Sequence, residues 1–339
     1  MKKIIVLTVL ISIIAVFSKN FVSKNNKVDF TSCISIGNAL EAPKDIKWDV
    51  TMNEKYFDEI KSVGFDAVRI PIRFSDYVEG DRYTLNEDFM KQIDYYINYA
   101  LDCKLSVILD FHHFVEIMDD PYYYKDCFIS IWSQLSERYK DYSDNLIFEL
   151  LNEPRDNLSS DILNDFIKEG VDTIRKTNPS RTIIVGPANY NSLYKLEELK
   201  LPKDNNLMLT FHYYEPNDVT FQGSINHEGY ENLSNITWTG TEEQLKYLHD
   251  RFKIVKDYAD KNNISVFLGE FGVNKNAPRE TRIKWTEAVK NEALSNGFSY
   301  GYWEFASEFG IYDRDTNTWD KELLSCFFQV LFFCFIFSL

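Results

Sequence analysis

The sequence predicts a single (β/α)8 barrel of the α/β class. Three observations carry this: short apolar runs bounded by turn residues recur eight times, segments with helical spacing separate them, and no linker or change of composition divides the chain. At 339 residues, length alone would allow two domains, but barrels of alternating strands and helices reach this size as one.

Ahead of the first strand, Met1-Lys2-Lys3 and the apolar run 4–17 end at Ser18, the pattern of a secretory signal. Residues 1–18 are therefore expected to be a signal peptide, 19–325 the catalytic domain, and the location extracellular. The first strand lies near 33–37 and is followed by a loop containing Pro43. A helix over 54–63 stops at Gly64, and Asp66 to Pro71 reads as the second strand. The unit repeats: helix 87–103 and strand 105–111, helix 125–139 and strand 145–151, helix 160–176 and strand 182–185, short helix 193–199 and strand 207–211. The irregular stretch 213–240 is too long for a simple connection and is expected over the catalytic face. Helix 241–261, strand 264–268, helix 279–295 and strand 298–303 complete the set.

Residues 323–339 are almost wholly apolar. An eighth barrel helix needs a polar side, which this stretch lacks, and it is at the short end for spanning a bilayer. Residues 326–339 are read as an apolar tail. A removed anchoring tail, a membrane-associated end and an altered reading frame all remain open.

A formal net charge of -15 argues against a nucleic-acid groove, and no Lys/Arg cluster supplies one. The five cysteines are scattered without a C-x-x-C pair, which indicates neither a zinc site nor a disulfide framework. No Gly-rich phosphate loop follows any strand. His112 and His113 are adjacent, and neighbours on a strand point to opposite sides, so they are not expected to share a metal ion. No cofactor or metal is expected.

Polar and aromatic residues recur at the strand ends: Asn38 and Glu41, Arg69, His112 and His113, Asn152 and Glu153, His212 and Tyr214, Glu270, Trp303 and Glu304. In a parallel barrel these converge on one rim. One carboxylate at a strand end is more often a helix cap or a solvated loop residue. Two, Glu153 and Glu270, can cut a glycosidic bond.

The motifs Asn152-Glu153-Pro154, Gly269-Glu270-Phe271-Gly272, Arg69-Ile70-Pro71, Gly37-Asn38-Ala39-Leu40-Glu41-Ala42-Pro43 and His212-Tyr213-Tyr214 together resemble glycoside hydrolase family 5, the cellulase family, over roughly residues 33–325. The resemblance implies a retaining enzyme, with Glu153 as general acid/base after strand four and Glu270 as nucleophile after strand seven. It implies Arg69 beside Glu270, lowering that carboxyl's pKa, and a Glu153 pKa raised by the neighbouring negative charge. His112 and Asn152 would contact the sugar and its 2-OH, Tyr214 would bond the nucleophile, and Trp303 would stack beneath the sugar in subsite -1. Asn38, Glu41, His113, Tyr190, His212 and Glu304 would be further sugar-binding residues.

Tyr190 stands where relatives carry tryptophan after strand five, and Phe221 and Asn226 depart from the familiar His and Trp. The implied function is a secreted, monomeric endo-β-1,4-glucanase acting on cellulose or related β-glucans. Alternatives are a β-mannanase or mixed glucanase/mannanase on the same barrel and a noncatalytic carbohydrate-binding barrel.

Overall fold

A computed structural model describes residues 30–328; the expected signal peptide and most of the apolar tail lie outside the described residues. Eight parallel strands close into a barrel: β1 (Ser32–Ser35), β2 (Ala67–Ile72), β3 (Ser106–Phe111), β4 (Leu146–Glu149), β5 (Ile183–Val185), β6 (Leu207–His212), β7 (Ser265–Phe271) and β8 (Ser299–Tyr302). The long helices around it are α1 (Lys55–Val63), α2 (Glu87–Asp102), α3 (Pro121–Arg138), α4 (Ser160–Arg175), α5 (Glu242–Asn262) and α6 (Arg279–Ser295). A 3-10 turn, Leu193–Glu198, replaces a helix between β5 and β6. Among the described residues no helix is long and apolar enough to cross a membrane.

Local chemistry sets the helix ends. Gly64, at φ 111°, closes α1 with its amide on the Lys61 carbonyl. Thr241 and Gln244 form a capping box at the start of α5. Helix α3 begins at Pro121 rather than near 125, because Asp120 caps it and proline is favoured in the first turn.

The barrel interior is built in layers with the strand period of two. The floor is apolar, with Cys33, Ala67, Ile108, Ile147, Ile184, Met208 and Phe267 in one buried cluster. Two residues further along three of these strands stand Arg69, Asp110 and Glu149, all buried. Two further, one residue past the end of β3, comes His112, at the rim. A charged layer thus separates the apolar floor from the cleft.

Strand β7 breaks this period. Its register against β6 slips between Phe211 and His212, so that His212 is opposite Glu270 while Phe211 is opposite Leu268. Gly269 absorbs the extra residue, and a Cβ there would collide with Thr210 Oγ1 and come within 3.0 Å of His212 Nε2. Without the bulge, a period of two from inward-facing Phe267 would turn Glu270 toward the helices. With it, Glu270 faces the cleft.

The first part of the apolar stretch packs on the barrel. Leu323 and Leu324 are buried in a one-turn helix, and Phe327 lies with its ring 5.1 Å from Tyr302, 5.7 Å from Phe65 and 6.4 Å from Phe271. Packing therefore continues beyond residue 325.

Candidate active site

A cleft of about 1340 Å³ opens over the carboxyl ends of the strands, with Glu153, Glu270 and His212 among its lining residues. A carboxylate oxygen of each glutamate and a ring nitrogen of His212 lie within 4.8 Å of one another. His212 Nδ1 is 2.8 Å from Glu153 Oε1 and 3.5 Å from Glu270 Oε2. Glu270 also accepts from Arg69 Nη1 at 2.7 Å and from the Tyr214 hydroxyl at 3.0 Å. These three groups have the spacing of cation ligands, but the guanidinium on Glu270 already supplies positive charge there and would repel a metal ion.

Arg69 is held from below. Its Nε and Nη2 donate to the two Glu149 oxygens at 2.7 and 2.9 Å, and Nη2 also reaches Asn152 Oδ1 at 2.7 Å and Asp110 Oδ2 at 3.0 Å. Asp110 Oδ2 is 2.6 Å from His112 Nδ1, and Asn152 Nδ2 is 3.2 Å from His112 Nε2. Burial and then the nearby Arg69 charge push the His112 pKa well down. His112 is therefore neutral, donating from Nδ1 to Asp110 and accepting at Nε2 from Asn152. The Trp303 ring lies parallel to the His112 ring at 5.6 Å and fills the space beside Gly37, where a Cβ would come within 2.7 Å of the indole.

A pair of close carboxylates on a barrel rim, with an arginine on one and a histidine on the other, is the geometry of glycosidic bond cleavage. The Cellulase model (glycosyl hydrolase family 5) matches residues 34–308. The chain belongs to glycosyl hydrolase family 5.

Among solved structures, this family 5 chain resembles cellulose synthase subunit Z from Clostridioides difficile at 54% identity and TM-score 0.88, covering 89% of this chain and 100% of that one. It resembles Thermotoga maritima Cel5A, solved with mannotriose, at 39% identity and TM-score 0.85, over 88% of this chain and 97% of that one. The same Cel5A has also been solved with cellobiose. Endoglucanase H of Acetivibrio thermocellus is 35% identical over 302 residues, which are 87% of this chain and 32% of that protein. The chain thus spans about a third of that relative's length. The family 5 chain is an endoglucanase-like glycoside hydrolase with a (β/α)8 barrel in one domain.

Protonation in the family 5 site differs from the sequence expectation. Burial raises the Glu153 pKa, but the hydrogen bond and charge of His212 outweigh it and the net shift is downward. Burial lowers the His212 pKa, but the Glu270 charge and the Glu153 hydrogen bond outweigh it and the net shift is upward. The proton shared by this pair rests on the imidazole. Asn191 Nδ2 lies 3.2 Å from His212 Nε2, and its buried Oδ1 has no other partner, so a flip of the amide serves the protonated ring.

Most of the expected residues meet at the cleft: Asn38, His112, His113, Glu153, Tyr190, His212, Tyr214, Glu270 and Trp303 line it, while Arg69 and Asn152 lie directly beneath. Two do not. Glu41 is buried and accepts from the Asn38 and Ala39 amides; Glu304 is buried and accepts from the amides of Ala306 at 2.9 Å, Ser307 at 2.7 Å and Phe309 at 3.2 Å. Both carboxylates shape the rim loops instead of reaching the cleft surface. His113 leaves the strand with φ 51°, a turn away from regular strand alternation that lets its ring line the cleft together with that of His112.

Sequence reasoning missed Asp110 and Glu149, whose signal was a charge at an inward position of an apolar strand. It also missed Trp48, which lines the cleft edge-on to His113 at 5.6 Å, and Glu308. Glu308 accepts from Ser224 Oγ and Asn226 Nδ2, each at 2.7 Å, and ties the 213–240 loop to the segment after β8.

Proposed function

We propose that the protein is a secreted, retaining endo-β-1,4-glucanase. The observation that carries the reading is the approach of the Glu153 and Glu270 carboxylates to within 4.8 Å, with Arg69 on the second. A separation near 5 Å suits direct attack by a carboxylate, whereas an inverting site needs room for a water between them.

In this reading the Glu270 carboxylate attacks the anomeric carbon while Glu153 protonates the leaving glycosidic oxygen. The C–O bond breaks and an ester to Glu270 forms. The proton reaches Glu153 from His212 along their 2.8 Å hydrogen bond. Water then attacks the ester and gives its proton back to the Glu153 side, restoring both groups. Arg69 and Tyr214 orient Glu270, Asn152 is placed for the sugar 2-OH, and Trp303 carries the sugar whose bond is cut. Asn38, His113 and Trp48 line the continuation of the cleft and supply polar and stacking contacts.

The test is the anomer released from a soluble β-1,4-glucan, followed by NMR. Initial release of the β-anomer, and its loss in both E153Q and E270Q, supports the reading; initial α-anomer, or ordinary activity in either variant, sinks it.

Glucan is favoured over mannan by the relatives' names, while the mannotriose complex of Cel5A keeps mannan open. Relative rates on carboxymethylcellulose, glucomannan and pure mannan separate them. The likeness to a cellulose synthase subunit further supports a substrate made by the producing cell itself, a newly synthesised β-1,4-glucan. Fractionation of the full-length chain into medium, envelope and cytosol tests secretion, and sedimentation tests the expected monomer.

A further inference from the structure

The turn after β5 carries two tyrosines on the same side of the cleft. Asn189, Tyr190 and Asn191 are all in the left-handed region, at φ 58°, 64° and 51°, and the Tyr190 amide donates to the Pro154 carbonyl at 3.2 Å. Tyr190 is 49% exposed and Tyr194 is 53% exposed. Each has one ring face covered by a guanidinium: Arg155 is 5.3 Å from the Tyr190 centroid, and Arg251 is 5.7 Å from that of Tyr194. Neither arginine lines the cleft, but both tyrosines do. Both rings therefore form part of the cleft wall.

Tyr194 is also fixed in orientation. Its hydroxyl donates to Glu215 Oε2 at 3.0 Å, the Tyr247 hydroxyl donates to the same oxygen at 2.9 Å, and Arg251 packs 4.2 Å over the Tyr247 ring. A half-exposed aromatic ring held rigid at one edge and backed by a cation has little ordering entropy left to lose on binding.

These residues follow β5 and β6, across the barrel mouth from Trp303 and adjacent to Glu153, the group that faces the leaving sugar. Resting on the glucanase reading above, we propose that Tyr194, backed by Arg251, is a second sugar platform on the leaving-group side, beyond Tyr190. The ligand is the reducing-end portion of a β-1,4-linked glucan, and the platform biases cleavage toward internal bonds of longer chains.

The test compares wild type, Y194A and Y194W on cellohexaose and on an aryl β-cellobioside, whose leaving group is a single phenol. Y194A is expected to lose about tenfold more kcat/KM on cellohexaose than on the aryl substrate and to move the main cut toward the reducing end. Y194W retains the wild-type pattern. Equal losses on the two substrates, or an unmoved cut, overturn the platform alone. Wild-type inactivity on both overturns the glucan reading and the platform with it.

Discussion

Nδ1 of His212 lies 2.8 Å from Oε1 of Glu153. At that distance the two titrate as a pair, and the last proton is lost at a pH no lower than that at which Glu153 alone would lose it. A non-titrating residue at 212 removes one of the two sites that hold this proton. H212N is therefore expected to move the basic limb of the kcat/KM profile to lower pH, measured on a soluble β-glucan. An unchanged or higher limb would show that the pair does not share the catalytic proton.

Arg69 carries three carboxylates and is fully buried. Above pH 7, where Asp110 and Glu149 are ionised, R69A leaves these charges unpaired in a dry site and is expected to cost about 3–5 kcal/mol in denaturant unfolding. A loss below about 1 kcal/mol would mean that the layer is hydrated.

The same layer sets a pH dependence of stability. Burial, partly offset by Arg69, pushes Asp110 and Glu149 up to about 7, from 3.8 and 4.5. Between those values the folded chain holds protons that the unfolded chain has released, so stability falls as pH rises through that window. Tm is expected to be lower at pH 7.5 than at pH 5.5, and the difference to shrink in E149Q. A wild-type Tm that climbs over this range would contradict the assignment.

Gly37 lies against the outer edge of the Trp303 ring. A methyl group there would come within 2.7 Å of the indole, which is backed by His112 and cannot retreat without leaving the stack. G37A is expected to lower kcat/KM on β-glucan by about 10- to 100-fold with near-native unfolding. Wild-type kinetics would show that the ring position is not critical.

Phe327 packs against Phe65, Phe271 and Tyr302 and is nearly fully buried. F327A is expected to cost about 3–5 kcal/mol, read by urea or thermal unfolding. An unchanged midpoint would detach this residue from the core.

The strands were legible because a parallel barrel buries both faces of each, and the resulting apolar runs end at polar residues or glycine. The long helices were legible from their spacing, except for the start of α3, where Tyr122 to Tyr124 hid the Asp120-Pro121 start, while the short helix expected over 193–199 is a 3-10 turn. The direction of a side chain leaving a strand was not legible. His113 and Glu153 are both in the left-handed region, at φ 51° and 46°, and nothing in their identity announces it. For the same reason Glu41 and Glu304 read as cleft residues and fold back onto their own loops. The Arg69 layer was obscured because Glu149 lies inside an apolar run, where one charge does not alter the pattern.

The bulge at Gly269 means that Glu270 is addressed by a deliberate miscount along its strand. Copying β7 residue for residue onto a regular barrel ladder would preserve every side chain and aim Glu270 outward, among the helices. A designer moving this chemistry to another scaffold must therefore transplant the extra residue and the glycine that accommodates it, and not the glutamate alone.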